Sequence, residues 1–81
     1  MLNIEAKSKL KPEEVILRAV KFFGPSGYGL EIKEQAARYA EFEGGGGSIG
    51  ISACNDGSIT SVDFLSREWD FQVKEFIRII R

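Results

Sequence analysis

The residue types that most often carry enzyme chemistry are scarce in this sequence. The chain contains no histidine, so the commonest general base and the commonest transition-metal ligand are both missing. Its one cysteine, Cys54, cannot form an internal disulfide bond or a multi-thiolate zinc site. A reactive thiolate needs a neighbouring cation or a helix N-terminus, whereas Asp56 lies nearby and disfavours the charged form. We therefore predict that Cys54 is a small, half-buried apolar residue.

A run of four glycines, from Gly44 to Gly47, is the next candidate for chemistry. Consecutive backbone N–H groups in such a run can form a nest that binds an anion. Glycine loops that bind phosphate, however, lead from a strand into a helix, and here strand patterns lie on both sides. The glycines therefore predict a hairpin or a bulge at which the sheet bends.

Carboxylates are numerous, but their spacing predicts that they are exposed to solvent. A carboxyl group that acts as a general acid needs a pKa raised by burial. Most of the candidates alternate with apolar residues, which predicts the wet face of a sheet; they are Glu31, Glu34, Glu41, Glu43, Asp63 and Glu68. We expect no enzyme activity, no metal site and no cofactor.

The composition predicts one globular domain over residues 1–81. Hydrophobic residues make up 43% of the chain and charged residues 28%, and the net charge is −1. This balance argues against a nucleic-acid-binding protein, which needs clustered positive charge. No apolar run reaches the roughly 7–15 residues of a signal peptide or the ~18 of a membrane span. We predict a cytoplasmic protein with no membrane partner.

The first helix is predicted to begin at Pro12 and to end before Gly24-Pro25. Proline suits the first helical position, and Glu13 and Glu14 meet the positive end of the helix dipole. Apolar residues follow at spacings of three and four, at Val15, Ile16, Ala19, Val20 and Phe23.

A second helix is predicted from Trp69 to Arg81, with Ser66 as its capping residue. Its apolar stripe consists of Trp69, Val73, Phe76 and Ile80 and is widened by Ile77.

The remaining segments alternate with a period of two and predict strands. These segments are Leu2–Lys9, Leu30–Lys33, Tyr39–Glu43, Ser48–Ala53 and Ile59–Leu65. A helix over Glu34–Phe42 is an alternative, and we prefer two strands because the segment carries no helix cap. The fold class is therefore α+β, with one antiparallel sheet of about five strands in the order β-α-β-β-β-β-α and both helices on one face. The predicted inner layer contains Ile4, Leu30, Ile32, Phe42, Ile49, Ile51, Val62, Phe64, Trp69, Val73, Phe76 and Ile80.

This order of elements resembles the TATA-binding-protein-like or helix-grip arrangement, of which the START and pollen-allergen superfamily has a longer version. In that superfamily an antiparallel sheet wraps around a long final helix, and ligands bind between the two. The segment Trp69–Phe76 is also similar to the end of small prokaryotic domains of unassigned function. The resemblance covers nearly the whole chain and rests on element order. With five strands instead of seven, side chains can fill the space under the sheet.

Aromatic residues are the last candidates. Phe22 and Phe23 are adjacent, so they cannot face the same direction on a helix, and Phe71 lies off the main stripe of its helix. Some aromatic surface is therefore predicted to stay exposed. The candidate ligand or partner surface consists of Phe22, Phe23, Tyr28, Tyr39, Trp69 and Phe71.

Two functions remain open at this point. The first is an interaction module that associates with itself as a homodimer or docks to a partner protein. It could use the edge from Tyr28 to Gln35, which has no proline and carries Glu31 and Lys33 with opposite charges. The second is a module that binds a small apolar ligand or a lipid between the sheet and the C-terminal helix. We prefer the first, because a core of ordinary packing density leaves little room for a ligand.

Overall fold

The strands form a single antiparallel sheet with two helices on one face, which confirms the predicted α+β class. The computed structural model describes residues 2–81. Its elements are β1 (Leu2–Ser8), α1 (Pro12–Phe23), β2 (Glu31–Ala36), β3 (Tyr39–Gly44), β4 (Gly47–Asp56), β5 (Ile59–Arg67) and α2 (Asp70–Ile80). The strand order across the sheet is β1-β5-β4-β3-β2, so β1 and β2 are its edges. The segment that could have been a helix forms the β2–β3 hairpin.

Helix α1 begins and ends where the sequence predicts. Pro12 occupies the start, and Lys11 before it has extended backbone angles and makes no side-chain cap. At the other end the N–H of Gly24 donates to the carbonyl of Val20 over 3.0 Å, and Pro25 prevents a further turn.

The start of α2 differs from the prediction. The predicted capping role of Ser66 is wrong, because strand β5 continues to Arg67 and the helix begins only at Asp70. Ser66 is fully buried and its hydroxyl has no hydrogen-bond partner within residues 2–81. The chain then turns at Glu68, whose φ is 69°, and Trp69 stands at the helix start without a side-chain cap. The alternation of β5 therefore continues to Ser66, and its side chain faces the core.

The four glycines form a tight hairpin turn between β3 and β4, as predicted. Gly44 and Gly47 pair across the strands, and the two loop residues Gly45 and Gly46 have φ values of 60° and 80°. Positive φ at both loop positions is the geometry that suits the twist of a two-residue hairpin. Gly45 also lies against Trp69, since a Cβ added there would be 2.9 Å from a ring carbon.

The core lies between the inner face of the sheet and the two helices. Cross-strand partners such as Ile51 and Phe64 face inward together. The centre of the Phe76 ring in α2 lies 5.3 Å from the ring centre of Phe23 in α1 and 6.1 Å from that of Phe64 in β5. Of the predicted inner layer, nine residues are buried, and Ile4, Ile32 and Trp69 are half-buried and pack against the core. The helix layer therefore covers this face and leaves the other face of the sheet open.

Candidate functional site

The outer face of the sheet carries an open groove along β4. The outward residues of β4 are small, with Ser48, Gly50 and Ser52 following one another. Larger side chains stand on both sides of this line, so the face is concave and has a volume of about 390 Å³. The side chains along the rim are Asn3, Tyr39, Glu41, Glu43, Asp63 and Leu65.

The same face concentrates negative charge. Among residues 2–81, seven carboxylates point outward from the strands, at Glu5, Glu31, Glu34, Glu41, Glu43, Asp56 and Asp63. Three cations share the face, at Lys7, Lys33 and Arg67. The whole chain carries a net charge of only −1, so the other charges, on the helices and the connecting segments, are net positive.

A polar cluster links edge strand β1 to its neighbours. The ammonium of Lys7 lies 3.3 Å from the carboxylate of Asp56 and 3.7 Å from that of Glu5. The hydroxyl of Ser61 donates to Glu5 over 2.8 Å. The hydrogen bond to Asp56, with the charge of Glu5, raises the pKa of Lys7 above its ordinary value. The charges of β1 are therefore held on the outer face, next to the free edge.

The opposite edge, β2, has a different character. Its register against β3 shifts between Ile32 and Glu34, so Lys33 forms a bulge. The ammonium of Lys33 lies 3.1 Å from Glu31 and 4.0 Å from Glu43. The hydrogen bond to Glu31 raises the pKa of Lys33. This single cation is thus engaged within its own chain, beside an excess of carboxylates.

Three of the predicted aromatic residues form a cluster at one end of the helix layer. The ring of Tyr28 lies 5.4 Å from Phe22 and 5.8 Å from Trp69. The hydroxyl of Tyr28 donates to Glu75 over 2.6 Å, and this hydrogen bond raises the pKa of the phenol. The indole N–H of Trp69 donates to the carbonyl of Gly44 over 2.9 Å, which ties the cluster to the β3–β4 turn.

The other three predicted residues lie elsewhere. Phe23 is 0% exposed in the core, so its inclusion in a binding surface is wrong: it faces inward, and its neighbour Phe22 is only half-buried. Tyr39 lies on the outer face, where its hydroxyl donates to Glu41 and the pKa of the phenol is raised. Phe71 is 73% exposed on α2. The six residues therefore do not form one surface.

Leu65 was not among the predicted site residues. It is 49% exposed on the outer face and lines the groove. The alternation of β5 contains the information needed to find it, because Leu65 has the same parity as Ser61 and Asp63, which face outward.

Cys54 is exposed at the outer face, opposite Ser61 of β5, so its predicted half-burial is wrong. Cys54 lies two residues after Ser52 in β4, so both side chains are on the face of the sheet that no helix covers. Within residues 2–81, no three His, Cys, Asp or Glu side chains come close enough together to hold a metal ion. No helix in that range has the length and apolar character needed to cross a membrane. The cytoplasmic location stays a prediction.

Comparison with family models, with curated proteins and with solved structures finds no match to this chain. The resemblance to the helix-grip arrangement therefore stays a prediction, and the function must be argued from the geometry of the chain itself.

Proposed function

We propose that this chain is a non-enzymatic interaction module whose first partner is a second copy of itself. The observation that supports the proposal best is that the sheet is covered on one face only and has two free edges. An edge strand presents unpaired N–H and C=O groups that can pair with another chain. Exposed Leu65 adds apolar surface to the uncovered face, and interfaces are built from such surface within a polar rim.

The alternative, a pocket for an apolar ligand under the sheet, has less support. The space between the sheet and the helices holds the rings of Phe23, Phe42, Phe64 and Phe76, each at most 1% exposed. The centre of the Phe23 ring lies 5.7 Å from that of Phe42 and 5.3 Å from that of Phe76, and aromatic rings at such centre-to-centre distances are in contact. A groove of about 260 Å³ between α1 and α2 lies on the outside of the helix layer, lined by Phe22, Phe76 and Ile79 between Arg18 and Lys21.

Two features support the absence of enzyme activity. The sequence contains no histidine, and the two tyrosines have raised pKa values, so each holds its proton as a hydrogen-bond donor to a glutamate. A phenol with a raised pKa is a poor general base near neutral pH.

A partner protein of another sequence is the alternative to a second copy of this chain, because the uncovered face and the free edges are open to either.

Sedimentation velocity tests the proposal. At about 100 µM, where an association with a Kd near 10 µM is mostly complete, we expect a species of twice 9.0 kDa that dissociates on dilution to about 1 µM. Native mass spectrometry of the same sample should show no bound small molecule. A monomer at every concentration, carrying a co-purified apolar ligand, would favour the ligand-binding alternative.

A further inference from the structure

We infer that β1 pairs antiparallel with β1 of a second copy, with Ala6 on the two-fold axis, to give one continuous ten-stranded sheet. This inference rests on the proposed function and specifies the edge and the register that the homodimer uses.

Strand β1 is a regular edge that is suited to pairing. Its register against β5 runs without a shift from Leu2↔Ser66 to Ser8↔Thr60. Residues 2–8 contain no proline, and no bulge interrupts them. Proteins use both devices to prevent pairing at an edge, so their absence from this stretch leaves a straight row of backbone groups open.

The sheet restricts which registers are allowed. If the two sheets continue into each other around a two-fold axis, each residue must face one on the same side of the sheet. Only registers centred on a residue of β1 satisfy this condition. The choice is thus between an outward residue such as Glu5 at the axis and an inward residue such as Ala6.

The charges select Ala6. A register centred there places Glu5 of each copy opposite Lys7 of the other, so two cross-strand ion pairs form on the outer face. Opposite charges at such positions stabilise a sheet, whereas like charges directly opposite destabilise it. Centring on Glu5 sets two carboxylates against each other, and centring on Lys7 sets two ammonium groups against each other. Centring on Ile4 leaves Lys7 outside the paired region of β1.

The inner face of β1 also favours a neighbour. Leu2 and Ile4 face the core side of the sheet but are only half-buried, whereas Ala6 is buried. In the register centred on Ala6, Ile4 faces Ser8 of the second copy, so the added strand would reduce the exposure of Ile4 to water.

The other edge is poorly suited to the same contact. Strand β2 carries the bulge at Lys33, and its outward side chains include Glu31 and Glu34 beside Glu41 and Glu43 of β3. The bulge interrupts the row of backbone groups with which a second copy would pair, and four carboxylates accompany the one ammonium of Lys33 on this part of the face. The sequence pattern predicts self-association through the edge from Tyr28 to Gln35, which contains most of β2, whereas the structure favours β1.

Two single charge reversals, measured apart and mixed, test the register. In Glu5→Lys, lysine faces lysine at both symmetric positions, and in Lys7→Glu, glutamate faces glutamate. Each variant alone should dimerise roughly 10-fold more weakly than the parent, because two favourable pairs become repulsive. In an equimolar mixture, a dimer of one Glu5→Lys chain and one Lys7→Glu chain sets lysine opposite glutamate at both positions, so the mixture should sediment as a dimer again. Lys33→Glu, at the β2 edge, is the matched control and should dimerise like the parent.

Each outcome decides a different point. A dimeric parent, with both reversals inert or with Lys33→Glu as the disruptive change, overturns the β1 register and leaves self-association standing. A parent that stays monomeric overturns both. Circular dichroism and the melting temperature of each variant identify a reversal that acts by unfolding the monomer. In that case the triple variant Glu5→Lys/Lys7→Glu/Asp56→Lys, which restores the cross-strand pairs and also the internal pairs of position 7 with positions 5 and 56, must recover the dimer or the register is wrong.

Discussion

The two faces of the sheet differ sharply, and Phe64 and Leu65 show the difference within one strand. Phe64 is 1% exposed and packs under α2, whereas Leu65 is 49% exposed beside the outer groove. The inner face contributes burial of apolar surface, which is the main favourable term in folding. The outer face contributes ion pairs between exposed groups, and such pairs are worth about 0–1 kcal/mol each. The difference indicates that the inner face maintains the fold, whereas the outer face contributes little to stability.

The largest expected effect is on the inner face. Phe64→Ala should lower the free energy of unfolding by roughly 3–5 kcal/mol, because it leaves a cavity beside the ring of Phe76. Leu65→Ala is the matched control on the outer face, and its effect should stay within about 0.5–1 kcal/mol. Urea denaturation of both variants measures the two values. Equal losses would contradict the assignment of stability to the inner face.

A smaller effect is expected at the β3–β4 turn, on which Trp69 packs. Gly45→Ala should cost roughly 1–2 kcal/mol from its positive φ alone, with a further loss because the added Cβ meets the ring of Trp69. Gly46→Ala is the control, since its φ of 80° carries the same kind of strain but no atom lies within 4 Å of the new Cβ. In thermal melts, the melting temperature of Gly45→Ala should be lower than that of Gly46→Ala. The reverse order would show that Trp69 does not pack on this turn.

A gain in stability is expected at Ser66. Its buried hydroxyl has no hydrogen-bond partner within residues 2–81, and a buried hydroxyl without a partner costs on the order of 1–3 kcal/mol. Ser66→Ala removes that hydroxyl with little change in volume and should raise the free energy of unfolding by up to about 1 kcal/mol. Ser8→Ala is the contrasting change, because the hydroxyl of Ser8 donates to the carbonyl of Ile80 and its loss should destabilise the protein. A loss of stability in Ser66→Ala would show that the hydroxyl is satisfied.

Much of the fold follows from the spacing of residues in the sequence. Pro12 and Gly24-Pro25 set the ends of α1, and the alternation in each strand predicts the buried residues, because period and burial are physically linked. Gly45 and Gly46 predict a turn because few other residues adopt positive φ. These are local rules, and they apply whatever the rest of the chain does.

The features that depend on tertiary context could not be predicted in this way. The bulge at Lys33 appears only when β2 is set against β3, and it decides which edge can pair. Ser66 has the side chain of a helix cap, but the pairing of β5 with β1 and β4 carries it into the core. Phe22 lies outside the apolar stripe that the spacing predicts for α1, and the contacts of its ring with Tyr28 and Phe76 leave it half-buried.

Amide hydrogen exchange at two protein concentrations tests the central claim most directly. At about 100 µM, compared with about 1 µM, the account predicts slower exchange at alternate amides of β1, because those that point away from β5 become hydrogen-bonded to the second copy. The amides of β2 should exchange at the same rate at both concentrations. Slower exchange at β2, or no dependence on concentration at either edge, would contradict the account.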